Sequence, residues 1–250
     1  MHRPTPLWFM FTAVTASLAT GQTAGESMVD RVLTLNRVES AQNFQEVVNT
    51  VRVLTTLAPV ATDTRLKTLE LRGTAEQIGL AEWVCSSLDE PKAGGSEYQL
   101  AGDEVARVFY LSRISTAVGL QELINVVRAI TDIARIMPYN AGRAMVVRGN
   151  GDQMRLTEWL VQELDRAPSD RPGAQSVREY RLPGSVNEAV RVFYPAAAGS
   201  PADLQNAINV IRVKTNITRA MPDPALRAIV LRANDERIAA AGRVLDELGH

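Results

Sequence analysis

Proton transfer, nucleophilic attack and transition-metal binding lean on histidine, cysteine and closely paired carboxylates. This chain of 250 residues has two histidines, His2 and His250, one near each end, and one cysteine, Cys85. A Ser-His-Asp or Cys-His arrangement needs a histidine inside the fold, and a Cys/His zinc site needs more ligands than these. A single cysteine forms no intramolecular disulfide. Cys85 falls on the polar side of a helical pattern with nothing nearby to depress a thiol pKa, so it is expected to be inert. Glu82, Glu158, Asp89 and Asp165 are expected to be helix-surface charge rather than a pair of catalytic acids. No catalytic residue, metal or cofactor is expected.

The residues that do recur with meaningful spacing are asparagine, arginine and tryptophan, and they recur because the chain repeats. "RVFY" occurs at Arg107–Tyr110 and again at Arg191–Tyr194. With Arg107 placed on Arg191, the alignment runs without a gap to the end of the chain. Ile124, Asn125 and Val126 fall on Ile208, Asn209 and Val210, and Arg148 falls on Arg232. With Arg31 placed on Arg107, Asn49 meets Asn125, Arg52 meets Arg128, Arg72 meets Arg148, and Trp83 meets Trp159. The chain is three copies of one unit, which is the first thing a sequence of this length has to be searched for.

Asn49 and Arg52, Asn125 and Arg128, and Asn209 and Arg212 lie three apart and share a helix face. They hold either local structure or a contact between units. Trp83 and Trp159 lie at the border of an apolar arc, and the third copy has Arg243 there. A border position tolerates that exchange better than a core position, and tryptophan at a border is a candidate interface anchor. These eight Asn, Arg and Trp residues are the candidate interaction surface.

The elements follow from periodicity. In the second copy, "RVFYL" reads as a strand. Leu120, Leu123, Ile124, Val127 and Ile130 recur at helical spacing. "ARIMPYN" is a short strand limited by Pro138, and "RAMVVRGN" is another. Met154, Leu156, Leu160, Val161 and Leu164 then form the apolar stripe of a second helix. The order is βαββα, an α+β class of three small units, each a three-stranded sheet with both helices on one face. Expected boundaries are 28–91, 104–168 and 188–250. The Pro/Gly/Ser-rich stretches 92–103 and 169–187 are expected to be linkers, each ending in a similar "EYQLAG" or "EYRLPG".

The unit order and the ending V-x-R-G-x…L-D resemble the amino-terminal repeat domains of secretins, the outer-membrane ring proteins of type II and III secretion and type IV pilus systems. "TRLKTLELRGTAEQIGLAEWVCSSLD" and "GRAMVVRGNGDQMRLTEWLVQELD" carry the likeness. It implies a KH-like fold, packing into periplasmic rings, protein partners and no chemistry. The chain departs from the pattern in two ways. The family commonly has asparagine before the second strand of the strand pair, where this chain has Lys67, Arg143 and Arg227. No secretin barrel domain follows within the 250 residues. The implied role is an exported assembly component built of ring modules. The alternative is a free periplasmic adaptor that binds a protein or peptide and forms no ring.

Nucleic acid is not an expected partner. The net charge is -1, and no G-x-x-G loop of the kind KH domains use on RNA occurs. The first nineteen residues read as a secretory signal: Arg3, then a mostly apolar run from Leu7, then small residues at Ser17 and Ala19. The mature chain is expected to be periplasmic or secreted, with no membrane span. Mass spectrometry of protein from native cells should find an N-terminus near Thr20; an intact leader on cytoplasmic material would overturn this.

Overall fold

The computed structural model describes residues 27–91, 95–166, 178–195 and 200–249; the leader read from the sequence lies outside them. The first unit runs β1 (Val29–Thr34), α1 (Ala41–Thr55), β2 (Ala61–Asp63), β3 (Thr68–Gly73), α2 (Ala75–Asp89). The second runs β4 (Ser96–Gln99), β5 (Glu104–Tyr110), α3 (Ala117–Thr131), β6 (Arg135–Tyr139), β7 (Ala144–Asn150), α4 (Gly151–Leu164). The third repeats that order as β8 (Arg178–Arg181), β9 (Glu188–Phe193), α5 (Pro201–Thr215), β10 (Arg219–Asp223), β11 (Ala228–Asn234), α6 (Asp235–Leu248). The α+β class and the βαββα order within each unit are as the periodicity predicts.

The second and third sheets carry a fourth strand that the periodicity did not predict. All pairings are antiparallel, in the orders β1-β3-β2, β4-β5-β7-β6 and β8-β9-β11-β10. The extra strands β4 and β8 come from the "EYQL" and "EYRL" stretches assigned to linkers. Each folds back onto the strand that follows it, with Glu97 opposite Arg107 and Glu179 opposite Arg191. Four-residue strands with mostly polar side chains give too short an alternation to stand out from a turn-rich linker.

Helix ends are set by side chains. Ser40, Thr116, Asn150, Ser200, Asn234 and Thr74 cap the six N-termini by accepting a backbone N–H three residues on. Gln77 and Gln153 complete capping boxes on α2 and α4, and each also donates to the end of its unit's first helix, at the Thr55 and Thr131 carbonyls. The first helices stop at Thr56, Asp132 and Asn216, all left-handed with φ near 60°.

The units are stacked rather than strung. α1 lies between its own sheet and the far face of the second sheet, so Ala106, Val108, Tyr139, Ala144 and Val146 join the core of the first unit. Val190, Val192, Ala228 and Val230 of the third sheet join the core of the second unit in the same way. The layers therefore alternate sheet, helices, sheet, helices, sheet, helices. Ala144–Val147 and Ala228–Leu231 are buried at every position, as strands covered on both faces must be. Thr68–Gly73 alternates instead, because one side of the first sheet is open.

The turn before each unit's last strand places Lys67, Arg143 and Arg227 at φ of 56°, 47° and 51°. This is the position where the secretin-like pattern has asparagine, a residue that enters the left-handed region more easily than a long side chain does. Arg143→Asn should therefore raise stability by about 0.5–1 kcal/mol. Chemical denaturation checks it, and a loss of stability would show that the Arg143 side chain holds the turn by other means.

Candidate interaction surface

The recurring Asn/Arg pairs sit on the first helix of each unit, and five of the six residues bond within their own unit. Asn49, Asn125 and Asn209 each accept a hydrogen bond from a glutamine four residues earlier, at 3.2, 3.0 and 3.2 Å. Arg128 donates to the Ile136 carbonyl and Arg212 to the Ala220 carbonyl, tying each helix to the strand that follows it. Arg52 is exposed. The pairs do not meet the tryptophans, which lie on α2 and α4.

Both tryptophans lie at a junction between units. The Trp83 ring centroid is 5.9 Å from that of Tyr98 on β4, and Trp159 is 5.7 Å from Tyr180 on β8. These tilted pairs join the second helix of one unit to the first strand of the next, a geometry aromatic rings favour. Arg243, their counterpart in the third unit, is exposed.

Three further contacts repeat at both junctions. The last residue of each "RVFY" reaches back: Tyr110 donates to the Ser87 carbonyl at 2.7 Å and Tyr194 to the Glu163 carbonyl at 3.1 Å. Burial raises the Tyr110 hydroxyl above its ordinary pKa, which keeps it a donor. Glu46 on α1 accepts from the Asn140 backbone and side-chain amides, both at 2.8 Å. Its counterpart Glu122 accepts from the Ala225 N–H at 3.2 Å. Arg148 donates to the Leu54 carbonyl at 2.7 Å and pairs with Glu104. Arg232 donates to the Ile130 carbonyl at 2.8 Å and pairs with Glu188. Each arginine is thus a cation placed on the last turn of the preceding unit's helix, where free carbonyls and the helix dipole favour one. The recurrence of Arg72, Arg148 and Arg232 was visible in the sequence, but it did not reveal a contact with another unit.

At the outer faces the same positions hold different residues. The open side of the first sheet presents Asp30, Val32, Thr34, Glu70 and Arg72, where the second sheet has Ala106, Val108, Tyr110, Val146 and Arg148. On α5, Asn206 stands where Glu46 and Glu122 stand, and exposed Lys214, paired with Glu247 at 2.7 Å, replaces buried Leu54 and Ile130.

Two expectations are corrected. Asp89 and Asp165 are not surface charge. Asp89 is buried and accepts the backbone N–H groups of Asn36, Arg37 and Val38. Asp165 does the same for Ser112, Arg113 and Ile114. Each closes the loop between its unit's first strand and first helix, and Gly249 occupies the matching place in the third unit. Cys85 is not on a polar side either. The end of β1 and the loop after it help cover it, and burial, with Asp89 and Glu82 close by, raises its pKa to about 12. At neutral pH it is a thiol with little nucleophilic character.

Among the described residues no group of three or more His, Cys, Asp or Glu side chains is placed to hold a metal ion. No helix among them is long and apolar enough to cross a membrane.

No protein-family model and no curated protein matches the chain. Solved structures do. The chain is 16% identical to Aeromonas hydrophila ExeD, covering 90% of itself and 42% of that chain, with a TM-score of 0.21. It is 16% identical to the type II secretion system secretin GspD of E. coli K12, covering 90% of itself and 40% of that chain, with a TM-score of 0.22. It is 11% identical to the N-terminal domain of the secretin XcpQ from Pseudomonas aeruginosa, covering 89% of itself and all of that chain, with a TM-score of 0.29. It therefore spans less than half of the ExeD and GspD chains.

The junction geometry makes a graded prediction for one repeated residue. The Arg148 side chain is 17% exposed and Arg72 is 62% exposed. Arg148→Ala leaves a helix-end carbonyl and Glu104 without their donor, and should lower stability by about 1.5–3 kcal/mol. Arg72→Ala should stay within about 0.5 kcal/mol of the parent. Equal losses at the two positions in urea unfolding would remove Arg148 from the junction.

Proposed function

We propose that the chain is an exported, non-enzymatic scaffold made of three secretin-like modules locked into one stack, and that it serves a secretion or pilus-type assembly by binding protein partners. The single observation that carries this is that every repeated junction contact is made inside the chain. Tyr110, Glu46, Arg148 and Trp83 join the first unit to the second; Tyr194, Glu122, Arg232 and Trp159 join the second to the third. Recurring residues that serve packing at both junctions support a structural task. The periplasmic setting follows from the leader sequence, and the secretion context from the secretin-like motifs quoted above.

Of the ring-forming and free-adaptor readings, the adaptor needs no contact between copies, and the end faces argue against such contact along the stack axis. A contact between a helix layer and a sheet face is heterologous and would continue from chain to chain if the end faces were alike. They are not: Glu70 and Asp30 replace Val146 and Ala106 on one end, and Lys214 replaces Leu54 and Ile130 on the other. Polar outer faces on terminal repeats stop such stacks and keep them in solution.

Light scattering on the mature chain should give the mass of one chain across a wide concentration range. A double substitution, Asp30→Ala with Glu70→Val, should make the first sheet resemble the second and produce concentration-dependent association. A discrete oligomer of the parent chain would reverse the choice in favour of rings. In-cell cross-linking that finds no component of an export or pilus machinery would remove the secretion context.

A further inference from the structure

Two of the three sheets carry a strand that has no counterpart in the first sheet among the described residues. β4 lies along β5 and β8 along β9, while β1, their counterpart, is an edge with no neighbour on its outer side among the described residues. The ladder fixes what that edge offers. Leu35 donates to the Lys67 carbonyl at 3.0 Å, so the odd-numbered backbone groups of β1 turn toward β3. Asp30 and Val32 then present their N–H and C=O groups outward, by the alternation of an antiparallel strand. Val32 is 61% exposed.

The side chains show the same difference among the described residues. Arg107 holds two carboxylates, Glu158 of α4 at 3.0 Å and Glu97 of β4 at 3.4 Å. Arg191 pairs with Glu179 of β8. Arg31, at the matching place on β1, pairs with Glu82 of α2 at 2.6 Å, the counterpart of Glu158. The strand-borne glutamate has no counterpart beside it. Accordingly the Arg31 side chain is 51% exposed, against 28% for Arg107 and 22% for Arg191.

We propose that the outer edge of β1 is a docking site for an extended, acidic strand of a partner protein, which pairs antiparallel with Val29–Val32 and sets a carboxylate against Arg31. The mode is strand addition, in which main-chain bonds give affinity and side chains at alternate positions give selectivity. The protein's own β4 and β8 are the template for register and charge. The residue facing Asp30 would project onto the open side of the first sheet, where Tyr98 and Tyr180 instead meet a tryptophan of the preceding unit. A polar or basic residue fits there.

Two other occupants fit the edge less well. At the spacing of the repeat, Gly21 and Gln22 stand where Glu97 and Tyr98 stand, so the preceding sequence repeats neither side chain. A second copy of β1 brings no glutamate to Arg31, because its one acid, Asp30, belongs to the other face. The inference goes beyond the scaffold reading and is independent of the secretion context.

The test titrates two fluorescein-labelled peptides, GSEYQLA and GSKYQLA, into the full chain and reads anisotropy. The glutamate peptide should bind saturably and the lysine peptide at least about tenfold more weakly. Arg31→Glu should invert that preference. Val32→Pro removes an outward N–H at an edge position where proline is tolerated, and should abolish binding of both peptides while leaving the melting temperature nearly unchanged. Absence of saturable binding at millimolar peptide, or a preference indifferent to Arg31→Glu, would overturn the proposal. So would a dimer of the parent that Val32→Pro dissolves, which would give the edge to a second copy. Binding that appears only after residues 1–26 are removed would give it to the chain's own leader.

Discussion

A single helix layer serves two sheets, and the rest of the structure depends on that. α1 is packed between its own sheet and the back of the next, and α3 is packed likewise. A unit of roughly sixty residues buries a small fraction of its surface and is marginal alone. Covering the second and third sheets on both faces adds buried strand residues such as Val146 and Val230 without lengthening the chain. The arginines at the junctions follow from the same arrangement. Once α1 and α3 are covered on both sides, their last carbonyls are shielded from water and need donors. Arg148 and Arg232, projecting from the covering sheet, supply them.

Sequence identity between copies therefore means different things at different positions. Arg72, Arg148 and Arg232 are the same residue with two roles, because none of the described residues lies over the first sheet. Trp83 and Trp159 each meet a tyrosine of the next unit, and Arg243 has the matching place on an exposed helix face. Thr34 occupies the place of Tyr110 and Tyr194. The residues that vary between copies are largely those whose neighbour differs, and the residues that hold a unit together internally recur. Thr55, Thr131 and Thr215 show the second case, since each hydroxyl bonds the carbonyl four residues back in its own helix.

Much of the fold was legible because its signals are local. The βαββα order recurs in three units, and the spacing of Leu120, Leu123, Ile124 and Val127 located a helix. What was missed is non-local or too short. β4 and β8 are strands because β5 and β9 accept them. Asp89 and Asp165 end a helix in sequence yet bond to loops more than fifty residues earlier. Cys85 looked polar when its helix was projected alone, yet the end of β1 and the loop after it lie against it, and its counterparts in the repeat, Val161 and Leu245, are apolar. The stacking did leave a trace. Thr68 to Arg72 alternates polar and apolar, while Ala144 to Val147 is a continuous apolar run at the same positions of the repeat. Read against each other, these strands report one open face and one covered face. The candidate surface was legible only as a set of recurring residues. Recurrence alone does not say whether a residue holds its own unit, as Arg128 does, or the next, as Trp159 does.

This division of labour also limits how partners can approach. The helix layers and sheet backs that would be the natural contact areas of a free unit are occupied between units or made polar at the ends. Edges and rims remain. In the second and third units one sheet edge is already filled by β4 and β8, and each brings a glutamate to the arginine beside it. In the first unit the arginine is present, and among the described residues no such strand lies beside it. A free strand edge is a liability that proteins usually blunt with proline, a bulge or charge. On β1 the inner-face charge at that edge is Arg31, which is half exposed and pairs with a single carboxylate of its own unit. That arrangement is selective rather than merely protective: it repels basic strands, gives little to neutral ones and accepts acidic ones. Polar ends oppose growth of the stack along its axis, while the edge proposed above for docking lies off that axis, so the two surfaces place separate demands on the sequence.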